Sequence, residues 1–292
     1  MRNTVSWICL AILFVLCGQG SGIPAENSAP DEIPVTALQP GMDPAGSSIC
    51  ERFPAPRGFS RLSQPSGSFG DYLRKLPLKP DGQPVRYFNG ESKPNRGVYV
   101  AVVDLPIGDR DLHQCADAVI RLRAEYLYSE GRYNEIAFNF TNGFRVEYHE
   151  WMSGKRVSIE GNRTWWTASA TPSNNPDTFR KYLETVFMYA GTLSLSKELL
   201  DVPVTDMTIG DVFIQGGSPG HAVIVVDMAV QPETGNKLFI LAQSYMPAQD
   251  IQVLANPRNR ELSPWYALEP GKDIVTPEWM FKASDLKRFA EN

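Results

Sequence analysis

Of the 292 residues, 42% are hydrophobic and 21% are charged, which excludes a largely disordered chain and provides enough apolar material for a sizeable core. The 28 Lys and Arg residues are outnumbered by 33 Asp and Glu residues, so the formal net charge is -5. No basic block is present that could attract a phosphate backbone, and we therefore expect no nucleic-acid partner.

The first 25 residues have the features of an export signal. Arg2 precedes a short apolar run at 5–17, and small residues follow up to Ala25. A membrane span needs about 20 apolar residues, so we expect no integral membrane segment after signal removal. The chain is predicted to be exported, to the periplasm or outside the cell. An alternative makes Cys17 the lipid-bearing residue of a lipoprotein, although Leu16 stands where that signal prefers a small residue.

Residues 26–49 are predicted to be a tether, because prolines are spaced among small and polar residues and no aromatic residue occurs there. Aromatic residues recur from position 50 onward, so residues 50–292 are predicted to form a single domain. The sequence does not determine its oligomeric state. Removal of the signal leaves two thiols, Cys50 and Cys115. They could form one disulfide bridge or remain free, and the sequence leaves both states open.

Hydrophobic spacing predicts helices in the earlier part of this domain. Ser68 is expected to begin a short helix, and residues 98–104 are expected to form a strand buried on both faces. The clearest helix is predicted at 111–128, where apolar residues recur three and four positions apart and Asp111 would be the cap. Residues 136–148 then alternate about an Asn-Gly turn and predict a hairpin.

A compact sheet is predicted toward the C-terminus. A second hairpin is expected to turn at 160–162, and a helix at 177–190 would be capped by Asp177 and end at Gly191. The three strands that follow are predicted at 211–214, 221–230 and 237–245. Their short connections indicate an antiparallel meander, and helices followed by such a sheet indicate the α+β class.

The most informative stretch is an apolar strand headed by His221. A strand containing Gly210 and Asp211 precedes it, across a glycine-rich turn at 216–220. This pattern resembles the cell-wall thiol peptidases of the NlpC and CHAP type and, more distantly, papain. The resemblance implies a papain-like or NlpC-like core, in which an antiparallel C-terminal meander packs on helices. It also implies that His221 is the catalytic histidine and that Gln243 or Ser244, on the returning strand, orients it.

The nucleophile implied by the same resemblance is Cys115, since relatives carry the cysteine on an earlier helix. NlpC-type enzymes place it on the helix just before the Gly-Asp strand, and the predicted helix 177–190 contains none. A position near a helix start favours a thiolate. Cys115 also falls on the apolar face of its helix, so a buried inert thiol and a bridge to Cys50 remain alternatives. Asp227 is about 20 Å further along the histidine strand and is not expected to reach the ring.

The chain also resembles, from about residue 50 to 289, a bacterial secreted family known as domain of unknown function 4846. The strings that carry the resemblance are SFGDYLR at 68–74, QCADAVIRLRAEY at 114–126, YAGTLS at 189–194, PGHAVIVVDM at 219–228 and AQSYMPAQ at 242–249. This family has no established reaction. The hydrolase hypothesis therefore depends on Cys115, His221 and Gln243.

Other residues have simpler explanations. His221 could merely cap the turn before a core strand, and His113 and His149 are predicted to be solvated. Trp151, Trp165 and Trp166 could stack on sugar rings if exposed, but aromatic residues in strands usually face the core. No compact metal-binding or nucleotide-binding motif occurs, so we expect no metal or cofactor. A glycosidase remains an alternative, because its two catalytic carboxylates have no characteristic spacing in the sequence.

The sequence thus predicts a cysteine hydrolase, a peptidase or amidase, that acts on peptide bonds of the cell envelope. In this hypothesis His221 is the base, Cys115 is the nucleophile and Gln243 holds the imidazole. The alternative is a catalytically inactive papain-like or NlpC-like module that binds cell-wall peptide or glycan.

Overall fold

The computed structural model describes residues 41–269 and 271–290. All of them fall within one structural unit, Pro34–Asn292. The predicted signal at 1–25, the alternative lipid site at Cys17 and most of the predicted tether lie outside the described residues.

The described part of the chain combines short helices with antiparallel strands. Its six α-helices are α1 (Ile49–Arg52), α2 (Phe69–Arg74), α3 (Cys115–Ser129), α4 (Tyr148–Met152), α5 (Pro176–Tyr189) and α6 (Thr192–Glu198). Its strands are β1 (Ser60–Arg61), β2 (Tyr99–Val102), β3 (Ala137–Asn139), β4 (Arg145–Glu147), β5 (Lys155–Glu160), β6 (Arg163–Ala168), β7 (Leu200–Asp201), β8 (Val212–Gln215), β9 (His221–Val230), β10 (Lys237–Gln243), β11 (Gln252–Leu254), β12 (Tyr266–Ala267), β13 (Ile274–Val275), β14 (Met280–Phe281) and β15 (Leu286–Arg288). The chain is a mixed α and β protein built mainly on antiparallel sheet.

Nine strands form the main sheet, whose order is β2-β11-β10-β9-β8-β15-β7, with β1 pairing with β9 and β12 with β10. The predicted meander is therefore present as β8, β9 and β10, and β11 extends it. Its third strand ends at Gln243, two residues earlier than expected. Nine of the ten residues of β9 are buried, and α2 and α3 both pack on this strand. The strand headed by His221 is thus the centre of the core.

The helix predicted at 111–128 begins at Cys115, later than expected. Gln114 is its N-cap, and the Gln114 N–H donates to Asp117 Oδ2 at 2.9 Å in a capping box. Asp111 does not cap the helix, because its carboxylate accepts the Ala248 N–H at 2.7 Å instead. Cys115 is therefore the first residue of α3, where main-chain N–H groups lack partners within the helix.

Other predicted boundaries also shift. Asn175, not Asp177, caps α5, since its side chain accepts the Thr178 N–H and Pro176 occupies the first turn. Gly191 does not end α5 in a left-handed conformation: its φ is 176°, and it is the N-cap of α6. The strand predicted at 98–104 is limited to β2, which pairs with β11 at the sheet edge and is only partly buried.

Both predicted hairpins are present. β3 pairs with β4 and β5 pairs with β6, each antiparallel. Gly143 at φ 87° and Gly161 at φ 60° occupy their turns, where a left-handed conformation favours glycine. None of the helices in the described residues is both long enough and apolar enough to cross a bilayer.

Asp227 has a structural role at the far end of β9 from His221. Its fully buried carboxylate accepts from Arg61 Nε at 2.7 Å and from Arg74 Nη2 at 2.8 Å, and it also accepts the Met228 N–H. The two arginines are mostly covered as well. The group therefore fixes β1 and α2 to the central strand.

We predict that Asp227→Ala destabilises the protein by about 3–5 kcal/mol, because it leaves two partly buried guanidinium groups without their partner. The matched control is Asp201→Ala, whose exposed carboxylate pairs with Lys287 and should cost less than about 1 kcal/mol. Urea unfolding of both variants measures the difference. Equal losses would contradict the structural role of Asp227.

Candidate functional site

The two cysteines of the described chain are both free, so the predicted alternative of a Cys50–Cys115 bridge is not realised. Cys50 is half-buried beside Ser48, whose Oγ lies 3.5 Å from the Cys50 sulfur. Cys115 is buried, with 8% of its surface exposed, at the first position of α3. Cys115 therefore has a free thiol, and the groups around it determine its reactivity.

Burial, and to a smaller extent charge repulsion by the Asp117 carboxylate, raise the pKa of the Cys115 thiol to about 11. Main-chain N–H groups of Ala116, Ala222 and Cys115 itself act in the opposite direction. The predicted helix-start effect is therefore present, but loss of solvation outweighs it. At neutral pH the resting thiol is uncharged. The Ala222 contact also shows that the sulfur lies beside the first residues of β9.

Cys115 lies in the wall of an open cleft of about 590 Å³, hereafter the cysteine cleft. Its walls are the start of α3, the junction between α5 and α6, and the turn at 217–220. Three exposed apolar side chains line it: Met188, Leu193 and Met246. The volume falls within the range of small-molecule and peptide side-chain sites, and the lining favours an apolar group of a ligand.

Asp117 also lines the cysteine cleft. Burial raises the pKa of this carboxyl to about 8, although the hydrogen bond from the Gln114 N–H opposes the change. Its Oδ1 atom has no hydrogen-bond partner among the described residues. Asp117 therefore carries a proton over most of the neutral range and becomes a negative charge near Cys115 only at alkaline pH.

His221 is held by a chain of hydrogen bonds whose members do not line the cysteine cleft. Its Nε2 lies 2.8 Å from Gln243 Oε1, and Gln243 Nε2 donates to Glu278 Oε2 at 2.7 Å. The Lys93 ammonium donates to the same carboxylate at 2.8 Å and to Gln249 Oε1 at 3.0 Å. Since a carboxylate accepts from the amide nitrogen, Gln243 can present only its carbonyl oxygen to the imidazole. His221 must then carry its proton on Nε2, which leaves the Nδ1 lone pair free.

The sheet explains why these side chains meet. β9 and β10 are antiparallel neighbours with Ala242 opposite Ile224, so Gln243 lies opposite Val223, one diagonal step from His221 on the same face. The adjacent Ser244 points elsewhere: its Oγ donates to the carbonyls of His113 and Gln249. Of the two predicted orienting residues, only Gln243 contacts His221.

Aromatic rings enclose the imidazole of His221. The ring centroids of Tyr245, Trp279 and Phe281 lie 4.8, 5.4 and 5.9 Å from that of His221. This burial, together with the smaller effect of the Lys93 charge, lowers the pKa of His221 to about 4, although the hydrogen bond with Gln243 acts in the opposite direction. Burial raises the pKa of Tyr245. The charges of Glu278 and, to a smaller extent, Cys115 raise it as well. Tyr245 therefore lies near both the thiol and the imidazole.

The structure thus brings Cys115, His221 and Gln243 into one region, with a thiol and an imidazole that are both neutral at pH 7. No hydrogen bond joins the Cys115 sulfur to the His221 ring among the described contacts. An uncharged pair of this kind can exchange a proton when the sulfur attacks an electrophile, because the free Nδ1 is an acceptor.

The sequence hypothesis missed Glu278, Lys93 and Trp279. Glu278 and Trp279 lie in the turn between β13 and β14, and Lys93 lies in the loop before β2. Their chain segments carry no periodic or motif signal. A Glu-Trp pair after Thr276-Pro, flanked by two short strands, is the only sequence feature that could have drawn attention to that turn.

The prediction that His113 is solvated is wrong. The ring is buried, its Nδ1 lies 3.3 Å from the Gln249 carbonyl oxygen, and it packs against Phe187. Burial, and to a smaller extent the charge of Arg121, lower the pKa of His113 to about 3. The segment before α3 is therefore part of the core. His149 is partly exposed and contacts Glu150.

The tryptophans predicted to cluster on the hairpins have different environments. Trp151 is buried and donates to the Thr178 carbonyl at 3.1 Å, so it belongs to the core. Trp166 is half-buried near Phe144, and Trp165 is 40% exposed beside Arg163. These three rings do not form one exposed platform.

Glu147, His149 and Glu150 are the group in the described chain whose ligand atoms are close enough to hold a metal ion. Glu150 also contacts Lys155 and His149, and all three residues are partly exposed. Their existing ion pairs account for the arrangement without a metal. The group lies outside the residues that line the cysteine cleft.

We predict that His221 is neutral with its proton on Nε2 and does not titrate between pH 7.5 and pH 5, because its pKa is about 4. Nitrogen-15 NMR of labelled histidine measures both the protonation state and the proton position. Glu278→Gln should make the Gln243 amide free to turn and mix the two neutral tautomers. The matched control, exposed Glu261→Gln, should leave the signal unchanged, and an unchanged signal in Glu278→Gln would contradict the proposed orientation.

We also predict that alkylation of Cys115 by iodoacetamide speeds up with pH toward about 11, the value expected for its thiol. Asp117→Asn should increase the rate at pH 9 to 10 by roughly threefold, because a negative charge beside the sulfur is removed. Mass spectrometry of each cysteine peptide gives the rates, with Cys50 as the internal control. A slower reaction of Asp117→Asn at pH 9 would show that Asp117 does not repel the thiolate.

Comparison with known proteins supports the resemblance of the whole domain. The family model described as Domain of unknown function (4846) matches residues 49–288. No curated protein and no solved structure matches the chain. Because the family model covers most of the sequence, the chain belongs to the family of domain of unknown function 4846.

Proposed function

We propose that this protein is a cysteine hydrolase, a peptidase or amidase with a papain-like or NlpC-like arrangement, that cleaves peptide bonds of the cell envelope after export. The observation that carries the proposal is the 2.8 Å contact between His221 Nε2 and Gln243 Oε1 next to a thiol at the start of a helix. Hydrolysis by a cysteine nucleophile requires a neighbouring histidine that is fixed in orientation and has one ring nitrogen free to accept the thiol proton. Here the Gln243 amide oxygen fixes the ring and leaves Nδ1 free.

In the first half of the reaction, Cys115 Sγ attacks the carbonyl carbon of an amide while its proton moves to His221 Nδ1. A carbon–sulfur bond forms, and the carbonyl electron pair moves onto oxygen. The main-chain N–H of Cys115, at the start of α3, would stabilise the oxyanion. The carbon–nitrogen bond then breaks, and His221 returns the proton to the leaving amine.

In the second half, water attacks the thioester and gives a proton to His221. The carbon–sulfur bond breaks, the thiol regains the proton, and the carboxylic acid product leaves. Gln243, held by Glu278, keeps the imidazole in one orientation through both halves and stabilises the positive ring that forms in each. The apolar lining of the cysteine cleft suggests a substrate with an apolar side chain near the cleaved bond.

The raised pKa of Cys115 and the lowered pKa of His221 favour a second candidate, an inactive binding module of the same fold. Such a protein would use the cysteine cleft to hold cell-wall peptide or glycan. The two candidates differ in turnover: both bind, but only the hydrolase releases a new amine.

We predict that a peptidyl vinyl sulfone, which resembles a substrate, labels Cys115 and not Cys50 at pH 7. His221→Ala should slow labelling by at least about a hundredfold, because general-base assistance is lost. Peptide mapping by mass spectrometry identifies the labelled residue. Equal labelling rates of the wild type and of His221→Ala would show that His221 does not act as the general base.

Cell-wall peptide fragments provide the direct test. Release of new amino groups should occur with the wild type and with the control Cys50→Ser, and it should disappear in Cys115→Ala. Full activity in Cys115→Ala would exclude the hydrolase role of this residue. Binding without turnover in the wild type would establish the second candidate.

A further inference from the structure

A second groove, of about 330 Å³, lies beside the cysteine cleft and between the two hairpins. The turn of β3 and β4 and the turn of β5 and β6 form its sides, and Tyr189 at the end of α5 lines it as well. Thr141 lines both this groove and the cysteine cleft, so the two are neighbours along one surface. We refer to it as the hairpin groove.

The lining of the hairpin groove is neutral. It consists of two aromatic residues, one aliphatic side chain, one glycine, and amide and hydroxyl side chains, and no described residue that lines it is charged. Tyr189 is 40% exposed, and its ring is supported from one side by Phe140 at 5.1 Å between centroids. The groove therefore presents one aromatic face together with neutral donors and acceptors.

The groove is also held rigid by its own hydrogen bonds. Asn142 Nδ2 donates to the Asn162 carbonyl at 3.1 Å and to Thr164 Oγ1 at 2.8 Å, which joins the two hairpin turns. The Thr141 N–H donates to the Tyr189 carbonyl at 2.8 Å, which joins the first turn to α5. A site fixed before a ligand arrives loses less conformational entropy when it binds.

These properties select the ligand by exclusion. An ionic ligand would find no opposite charge, and a purely apolar ligand would leave the Thr141 hydroxyl and the Asn162 amide without partners as it covered them. A ligand with a flat apolar face and many neutral hydroxyl or amide groups satisfies both requirements. We propose that the hairpin groove binds a neutral saccharide, with a sugar ring on Tyr189 and hydrogen bonds to Asn162, Thr141 and Thr164.

The position of the groove extends the proposed function, on which this step rests. A glycan in the hairpin groove and a peptide in the cysteine cleft would belong to one molecule, a peptide joined to a sugar chain. Thr141, which lines both, marks the place where the two parts of such a ligand meet.

Titration of the exported protein with the tetramer of N-acetylglucosamine and with cellotetraose, followed by calorimetry and amide NMR, tests the saccharide site. Saturable binding of at least one of them is expected, with shifts of Tyr189 and Asn162. Stronger binding of the first would show that the acetamido group is recognised. No saturable binding of either saccharide would overturn the proposal.

Two aromatic variants locate the site. Tyr189→Ala should weaken binding at least tenfold, whereas Tyr189→Phe should stay within about twofold, because the ring face makes the contact. The matched control is Trp165→Ala, since Trp165 is equally exposed on β6 but does not line the groove. Loss of binding in Trp165→Ala with retention in Tyr189→Ala would overturn the assignment to the hairpin groove.

Cys115→Ala separates this proposal from the hydrolase. Saccharide binding should be unchanged in that variant, because the sulfur lies in the neighbouring cleft. Saccharide binding by a wild-type protein that cleaves nothing would support the groove and contradict the hydrolase. Cleavage without saccharide binding would support the hydrolase and contradict the saccharide site in the hairpin groove.

Discussion

The amide of Gln243 has one orientation that satisfies its neighbours, and the candidate site depends on it. Its nitrogen donates to Glu278, so its oxygen must face His221, and the imidazole must donate from Nε2. This bond crosses from β9 to β10 at the register that places Ala242 opposite Ile224. A slip of one residue would turn Gln243 to the opposite face of the sheet, and the histidine would lose its partner.

Two opposing effects act on Cys115, and their balance decides its resting state. The first turn of α3 and the Ala222 N–H favour the thiolate, while burial and Asp117 favour the thiol. Burial prevails. The histidine is affected in the same way, since its aromatic surroundings keep it uncharged. The pair therefore differs from a preformed thiolate and imidazolium.

Local patterns were sufficient to predict the elements that carry a strong period. The hairpins about Gly143 and Gly161 and the meander of β8, β9 and β10 follow from alternation and turn residues, and the helix after Cys115 follows from its apolar spacing. The ends of helices were less predictable, because Asp111 and Asp177 are good caps by composition. In the folded chain, Asp111 bonds to Ala248, and Asn175 caps α5.

The site could be predicted only in part, for a related reason. His221 and Gln243 lie on adjacent strands, and the resemblance to thiol peptidases implied that Gln243 or Ser244 on the returning strand would orient the histidine. The register of β9 and β10 decides between them in favour of Gln243. Glu278 and Lys93 approach from distant loops whose position depends on the tertiary fold. Burial was the other quantity that the sequence did not provide. His113 was predicted to be solvated because it was assigned to the first turn of a helix, yet it contacts the Gln249 carbonyl and Phe187 in the core.

The turn between β13 and β14 has a consequence for biosynthesis. Chains are made from the N-terminus, so Cys115 and His221 emerge before Glu278. Until that late turn docks, the Gln243 side chain can rotate and the imidazole has no preferred tautomer. An unfinished polypeptide would therefore contain the thiol and the imidazole without a fixed orientation of the ring, and completion of the C-terminal segment would be the step that fixes it.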